Sequence, residues 1–139
     1  MRPTDTFRQH HAEILDIAGE ISGLLTEPEV QKEASRITQL LARFAGKLKG
    51  HLAMEDKVLY PKLLNHDDPH INHMASRFMN EMGGISETVV AYCGQWSTPA
   101  AISGDARTFI TETKRLFRAL EKRIDREDNV LYPALDKVS

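Results

Sequence analysis

The chain has 139 residues, of which 41% are hydrophobic and 27% are charged, and its formal net charge is −2. This length and composition predict a single soluble globular domain over residues 1–139, with enough chain to bury a core. The balanced charge and the lack of a basic block or a long apolar run exclude nucleic-acid binding and a membrane span. The N-terminal residues lack the apolar stretch of a signal peptide, so we expect a cytoplasmic protein.

Apolar residues recur at intervals of three and four along most of the chain, which is the pattern of amphipathic helices. The first predicted helix begins at Thr4 and extends to Leu25. A second helix follows the motif "TEPE", in which Thr26 is the expected cap. Pro61 should kink this helix or nearly end it, with one further turn possible through Leu64.

Two further helices follow, each after a short polar break. In "NHDDPH" we expect Asp68 to cap the third helix and Pro69 to occupy its first turn. "STPAAISGD" then separates the third helix from the fourth. The apolar faces of the second and fourth helices are predicted to include Val58 and Val130. Four amphipathic helices on short connections predict an all-α fold, an up-down-up-down four-helix bundle.

One motif occurs twice in the chain. "EDKVLYP" covers residues 55–61 and "EDNVLYP" covers residues 127–133, with six of seven letters identical. The first and third helices also align, with apolar residues at the same intervals. The alignment gives three pairs of positions: His11 with Met82, His51 with Arg123, and Glu55 with Glu127. The chain is therefore predicted to contain an internal pseudo-repeat of two helices.

The first half carries residues suited to a metal site. His51 and Glu55 are four residues apart, so their side chains leave one helix on the same face, one turn apart. His11 lies on the core side of the first helix, just before its apolar stripe. Two imidazoles and a carboxylate inside a helical bundle suit iron, manganese or zinc.

These motifs resemble the hemerythrin-like (HHE, cation-binding) domains. The resemblance is carried by "RQHHAEIL", "HLAMEDKVLYP" and "RIDREDNVLYP", and its most specific part is H-x-x-x-E-(D/E)-x-x-L-Y-P. It implies a four-helix bundle with a non-haem di-iron centre that binds O₂ or responds to iron, oxygen or nitric oxide. In the family pattern each half supplies a first-helix His and then a His and a Glu on its second helix. The matching residues, and so the implied metal ligands, are His11, His51, Glu55 and Glu127.

The second half departs from the family pattern at two positions. Met82 and Arg123 occupy the places of the two expected histidines and form a vestigial half-site. A guanidinium offers no lone pair to a metal, and a thioether is a poor ligand for ferric iron. We therefore expect about one iron, or another divalent cation, in place of the family's two irons.

The remaining histidines are weaker candidates for the missing ligands. His10 would replace His11 if the first helix were rotated, but the apolar spacing favours His11. His73 lies about 13 Å along the helix axis from position 82 and is expected at the surface. His70 is further away, and His66 lies near the connection.

Two functions are compatible with this sequence. The first is a non-haem metal protein that binds a small ligand such as O₂ or NO, for sensing, carrying or iron handling. The second is a metal-free bundle that acts as an interaction or signalling module, in which Arg123 replaces the second metal and keeps both carboxylates ionised. No catalytic residue is predicted, and Tyr60 and Tyr132 are expected to be structural contacts.

Overall fold

The computed structural model describes the backbone of residues 4–82 and 84–138, and the side chains of 4–80 and 84–137. Every described element is helical, which confirms the all-α prediction. In chain order the elements, with two π-helical turns named π1 and π2, are α1 (Asp5–Ser22), α2 (Glu27–Lys32), α3 (Ala34–Met54), π1 (Glu55–Leu59), α4 (Tyr60–Leu64), α5 (Pro69–Met82), α6 (Ile85–Gln95), α7 (Pro99–Gly104), α8 (Ala106–Arg126), π2 (Glu127–Leu131) and α9 (Tyr132–Val138). The third predicted helix is thus divided into α5 and α6. No helix in the described ranges is both long and apolar enough to cross a membrane.

Polar side chains cap the helices that follow the connections. The Thr26 hydroxyl accepts a hydrogen bond from the Glu29 N–H at 3.4 Å, as "TEPE" predicted. Thr98 caps α7 in the same way, at 3.1 Å. The Asp68 carboxylate accepts a hydrogen bond from the His70 N–H at 2.9 Å. These bonds satisfy backbone donors that a helix leaves unpaired at its start.

The helical pattern of the first half recurs in the second half with one constant offset, the separation of Glu55 from Glu127. The pairs α2 and α7, α3 and α8, and π1 and π2 begin and end at positions related by this offset. The helices α4 and α9 begin at positions related by the same offset. The repeated sequence therefore corresponds to repeated secondary structure.

Each π turn lies directly before a Tyr-Pro pair. In π1 the Tyr60 N–H bonds to the Glu55 carbonyl, five residues back, and in π2 the Tyr132 N–H bonds to the Glu127 carbonyl. A proline ring in a regular α-helix would collide with the carbonyl four residues back, and the wider turn relieves that collision. The helical path therefore continues through Pro61, with the further turn that the sequence analysis allowed.

The π turns also change which side chains face the core. Val58 is 62% exposed and Val130 is 44% exposed, although the periodicity placed both on apolar faces. A π turn contains one more residue than an α turn, so a period of 3.6 residues carried through it rotates later positions by about 100°. The prediction was wrong at these two positions for that reason.

Two apolar clusters fill the interior, and buried polar residues lie between them. The larger cluster joins residues of α1, α3, α6 and α8, and the smaller joins residues of α1, α5 and the segments around π1 and π2. On α1, buried His11 falls between Ile14 of the larger cluster and Phe7 of the smaller one. Glu55 likewise falls between Leu52 and Leu59, so a polar layer divides the core.

A buried hydrogen bond joins α6 to α8, with 2.6 Å between the Tyr92 and Thr113 hydroxyl oxygens. Thr113→Val leaves the Tyr92 hydroxyl buried without this partner, so we expect the free energy of unfolding to fall by about 1–3 kcal/mol. Adding Tyr92→Phe removes the second polar group and should restore part of that loss. Denaturant unfolding of both single variants and the double variant measures the coupling. If the double variant lost as much unfolding free energy as the two single variants together, the two hydroxyl groups would not be coupled.

Candidate metal centre

Four buried side chains meet in the polar layer. His11, His51, Glu55 and Glu127 are at most 3% exposed, and one donor atom of each lies within 4.8 Å of the others. His51 Nε2 is 2.8 Å from Glu55 Oε1 and 3.0 Å from His11 Nε2. His11 Nε2 is also 3.2 Å from Glu127 Oε1. The structure thus brings together the four residues that the sequence analysis singled out as ligands.

Helical spacing and the π turns direct these side chains to one place. His51 and Glu55 lie one turn apart on the same face because they are separated by four residues. Glu55 and Glu127 are each the first residue of a π turn, so the two copies of the repeat present their carboxyl groups in the same way. His11 comes from α1, which packs against both α3 and α8. One helix outside the repeated motif therefore supplies the second imidazole.

Arg123 connects the two carboxyl groups. It is 3% exposed, with Nη2 at 3.4 Å from Glu55 Oε1 and Nε at 3.3 Å from Glu127 Oε2. Burial alone would lower the pKa of Arg123, but the charges of Glu127 and Glu55 outweigh it and raise that pKa. The guanidinium is therefore a fixed buried cation beside the four candidate ligands.

The two tyrosines of the repeated motif belong to the same network. The Tyr60 hydroxyl donates to Glu127 Oε2 at 3.0 Å, and the Tyr132 hydroxyl donates to Glu55 Oε2 at 3.0 Å. Each copy of the repeat thus supplies a donor to the carboxyl group of the other copy. Burial raises the pKa of both phenols, so they remain protonated donors. The sequence analysis missed this role, although the tyrosine is one of the letters that both copies share.

Two further residues contact the outer nitrogens of the imidazoles. Asp128 Oδ1 is 2.8 Å from His11 Nδ1, and His10 Nδ1 is 3.2 Å from His51 Nδ1. An imidazole that donates through Nδ1 keeps the Nε2 lone pair for a metal, and a carboxylate partner favours that tautomer. His11 is buried and His10 only partly so, which means that His11 is the residue that faces the core. Asp128 was missed, although an Asp follows the Glu in both copies of the motif.

Burial and close charges set the protonation of the cluster. Burial, together with the neighbouring His11, lowers the pKa of His51 to about 3, so this imidazole is neutral at physiological pH. Burial and the adjacent Glu127 raise the pKa of Glu55. Burial acts in the same direction on Glu127, but hydrogen bonds with His11 and Glu55 and the charge of Arg123 outweigh it and lower the pKa of Glu127. The two carboxyl groups therefore hold one proton between them.

The raised pKa of Glu55 counts against the expectation that Arg123 keeps both carboxylates ionised. One guanidinium supplies one positive charge, and two buried carboxylates at this distance repel each other. A proton shared by the two carboxyl groups relieves that repulsion, which fits the raised pKa of Glu55.

The donor set and its spacing suit one divalent cation. Bonds of about 2.0–2.2 Å from a metal to nitrogen and oxygen place neighbouring donor atoms about 2.8–3.6 Å apart. The two Nε2 atoms, at 3.0 Å, and the His11–Glu127 contact, at 3.2 Å, fall in that range. The network is also complete without an ion, because every buried side-chain nitrogen or oxygen among the described residues has a hydrogen-bond partner.

His66, His70 and His73 lie apart from this cluster. The side chain of Met82 lies outside the described residues. His73 is exposed, as predicted, and lines a separate surface cavity with His70. His66 Nδ1 accepts the Asp68 N–H at 3.0 Å in the connection before α5.

The protein is helical, and its buried polar layer contains two imidazoles, two carboxyl groups and their hydrogen-bond partners. These features define a protein with a candidate metal-binding centre. Residues 2–135 match the family described as the hemerythrin HHE cation binding domain. Because this match covers nearly the whole chain, the protein belongs to the hemerythrin family of HHE cation-binding domains. No curated protein and no solved structure matches the chain.

Removal of Arg123 should destabilise the metal-free protein. Arg123→Ala leaves Glu55 and Glu127 without their buried cation, and breaking a pair of this kind typically costs about 3–5 kcal/mol. Arg123→Lys keeps a charge but loses the planar fork that reaches both carboxyl groups, so we expect partial recovery. Denaturant unfolding in chelator measures the effect, with Arg118→Ala as the exposed control on the same helix. An Arg123→Ala variant as stable as wild type would contradict a compensating role.

Acid should weaken the metal-free fold partly through His51. In the unfolded chain its imidazole gains a proton as the pH falls through about 6.5, whereas in the folded protein its pKa is lowered to about 3. Between these two pH values the unfolded state binds one more proton at this imidazole than the folded state does. The free energy of unfolding therefore falls by up to about 1.4 kcal/mol for each pH unit by which the pH decreases. His51→Gln should flatten the dependence of unfolding free energy on pH, and His73→Gln should leave it unchanged. If the curves of unfolding free energy against pH were parallel for wild type and both variants, His51 would not contribute to the acid dependence.

Proposed function

We propose that this protein binds one divalent metal ion, with iron as the first candidate, through His11, His51, Glu55 and Glu127. The observation that carries the proposal is the convergence of four donor atoms within 4.8 Å in a buried layer. Membership of a cation-binding family supports it independently. The donor atoms that face one another are the two Nε2 atoms and the two Oε1 atoms.

The hydrogen bonds around the carboxyl groups favour one ion over two. Glu127 Oε2 accepts hydrogen bonds from Tyr60 at 3.0 Å and from Arg123 at 3.3 Å. Glu55 Oε2 accepts a hydrogen bond from Tyr132 at 3.0 Å. A carboxylate that bridges two ions needs both of its oxygens as ligands. Here Oε2 of each residue accepts the hydrogen bonds just given, and Arg123 Nη2 also lies 3.4 Å from Glu55 Oε1. Arg123 accordingly takes the place of the second ion as a fixed cation.

The proposed ligand set leaves coordination positions open. Two imidazoles and two carboxylates supply four ligands, whereas iron commonly takes six. A ferrous ion held there would supply the capacity to bind O₂ or NO, which makes sensing, carrying or iron handling the proposed roles. The apolar clusters on both sides of the layer limit access of water to the centre. We assign no catalytic residue.

The proposal includes the architecture and compartment expected from sequence. The four helical segments α1, α3–α4, α5–α6 and α8–α9 are proposed to form an up-down-up-down bundle of the hemerythrin type. The constant offset between the α3–α4 and α8–α9 segments supports its internal pseudo-repeat. A cytoplasmic location is proposed on the composition alone.

A metal-free interaction or signalling module is the second candidate function. The observation that favours it is the complete hydrogen bonding of the buried side chains in the described part of the chain. Arg123 already supplies a positive charge to both carboxyl groups. In this alternative the polar layer specifies the packing of the helices, and the surface carries the function.

Metal content separates the two candidates. Protein purified without chelator or metal-affinity resin, then offered ferrous iron without oxygen, should retain about one equivalent per chain. His11→Ala and Glu55→Ala should lose most of it, and His73→Ala should lose none. Elemental analysis gives the stoichiometry, and after exposure of the loaded protein to air its absorption spectrum should lack the charge-transfer bands of an oxo-bridged di-iron centre. Two equivalents with those bands would contradict the role of Arg123, and no retained metal would favour the metal-free module.

A further inference from the structure

The candidate ligands are buried, so an ion from solvent needs a path to them. All four are at most 3% exposed. A surface groove of about 420 Å³ between α1 and α3 reaches one of them, because His51 lines it together with His10, Glu13, Gly46, Lys47 and Gly50. The groove therefore ends at the imidazole of a proposed ligand.

Two glycines keep this groove open. Gly46 and Gly50 lie one turn apart in α3, and a Cβ added to either would meet no atom within 4 Å apart from its chain neighbours and the backbone of its own helix. A glycine inside a helix costs about 1 kcal/mol relative to alanine, so helix formation gives no reason for either. The corresponding positions of the repeat, in α8, are Arg118 and Lys122. The glycines thus occur in the first half of the repeat, which contains His51. Long side chains occupy the same positions in the second half, where Arg123 stands in place of that histidine.

His51 separates the groove from the buried cluster. Its Nδ1 is 3.2 Å from Nδ1 of His10, which is only partly buried. Its Nε2, on the other side of the ring, is 2.8 Å from Glu55 Oε1. A small movement of this one ring would connect the groove to the proposed metal centre.

The mouth of the groove carries groups that can first capture a cation. His10 and Glu13 are three residues apart on α1 and so lie on one face. Glu13 pairs with Lys47 at 3.1 Å, and both side chains are well exposed, at 39% and 43%. An exposed pair of this kind contributes little to stability, so a divalent cation can displace Lys47 from the carboxylate. An imidazole and a carboxylate are both ligands that such a cation accepts.

We propose that the groove between α1 and α3 is the access route of the metal ion. His10 and Glu13 bind the cation first, and it then passes the ring of His51 to reach the buried donors. This inference rests on the proposed metal centre and adds the path by which that centre is loaded.

Filling the groove tests the route. Gly50→Leu places a side chain in the groove beside His51 and leaves all four ligands in place, so the bound ion should keep its affinity. Uptake of Co²⁺, followed by its absorption in a stopped-flow instrument, and its removal by excess chelator should both slow by about tenfold, because one barrier governs both directions. The dissociation constant should change by less than about twofold for the same reason. His10→Ala should also slow uptake without changing the number of ions bound.

Gly94→Leu is the matched control, because Gly94 lies on α6 and an added Cβ there also meets no atom within 4 Å. Its uptake and removal rates should equal those of wild type. Unchanged rates in Gly50→Leu would overturn the route and leave the metal centre intact. If Gly50→Leu releases Co²⁺ faster but takes it up at the rate of wild type, its affinity is weaker. The groove would then be part of the binding site, and that result would also overturn the route. Failure of wild type to bind Co²⁺ at equilibrium would overturn the centre and the route together.

Discussion

The burial of two carboxyl groups and two imidazoles in one layer is the constraint that shapes the rest of this protein. Isolated charges at this depth would be too costly, so each must be paired, protonated or bound to a metal. In this protein Arg123 supplies a charge, Tyr60 and Tyr132 supply hydroxyl donors, and one proton remains between Glu55 and Glu127. The apolar clusters on either side make this compensation necessary, because they keep water away from the layer.

The repeat turns one short motif into a nearly symmetric network. In each copy a Glu opens a π turn and a Tyr follows it, and each Tyr bonds to the Glu of the other copy. The proline after each Tyr explains why a wide turn is tolerated there, since a regular α-helix would clash with its ring. The π turn thus both accommodates the proline and sets where the carboxyl group enters the core.

The two halves have diverged around this shared frame. The first half contributes His51 beside Glu55, with Gly46 and Gly50 leaving its outer face bare. The second half has Arg123 beside Glu127, with long charged side chains at the equivalent outer positions. Asp128 from the second half still contacts His11, so the outer support of the proposed centre is shared between halves. This asymmetry is the reason for proposing a single ion, and it is also the reason for considering a metal-free module.

The helical class, the repeat and the four candidate ligands were predictable from the sequence. Apolar periodicity and a separation of four residues fix which side chains share a helix face, the repeat pairs Glu55 with Glu127, and the family resemblance implied that the four are ligands. That spacing placed His51 beside Glu55 and His11 in the core. It misplaced Val58 and Val130, because a π turn leaves no mark in a periodicity of 3.6 residues. Three features arise only in the packed molecule: the crossed tyrosine bonds, the support of His11 by Asp128 and the raised pKa of Glu55 beside Glu127. Each of these depends on distances of about 3 Å between residues far apart in the chain, and such distances exist only once the helices have packed.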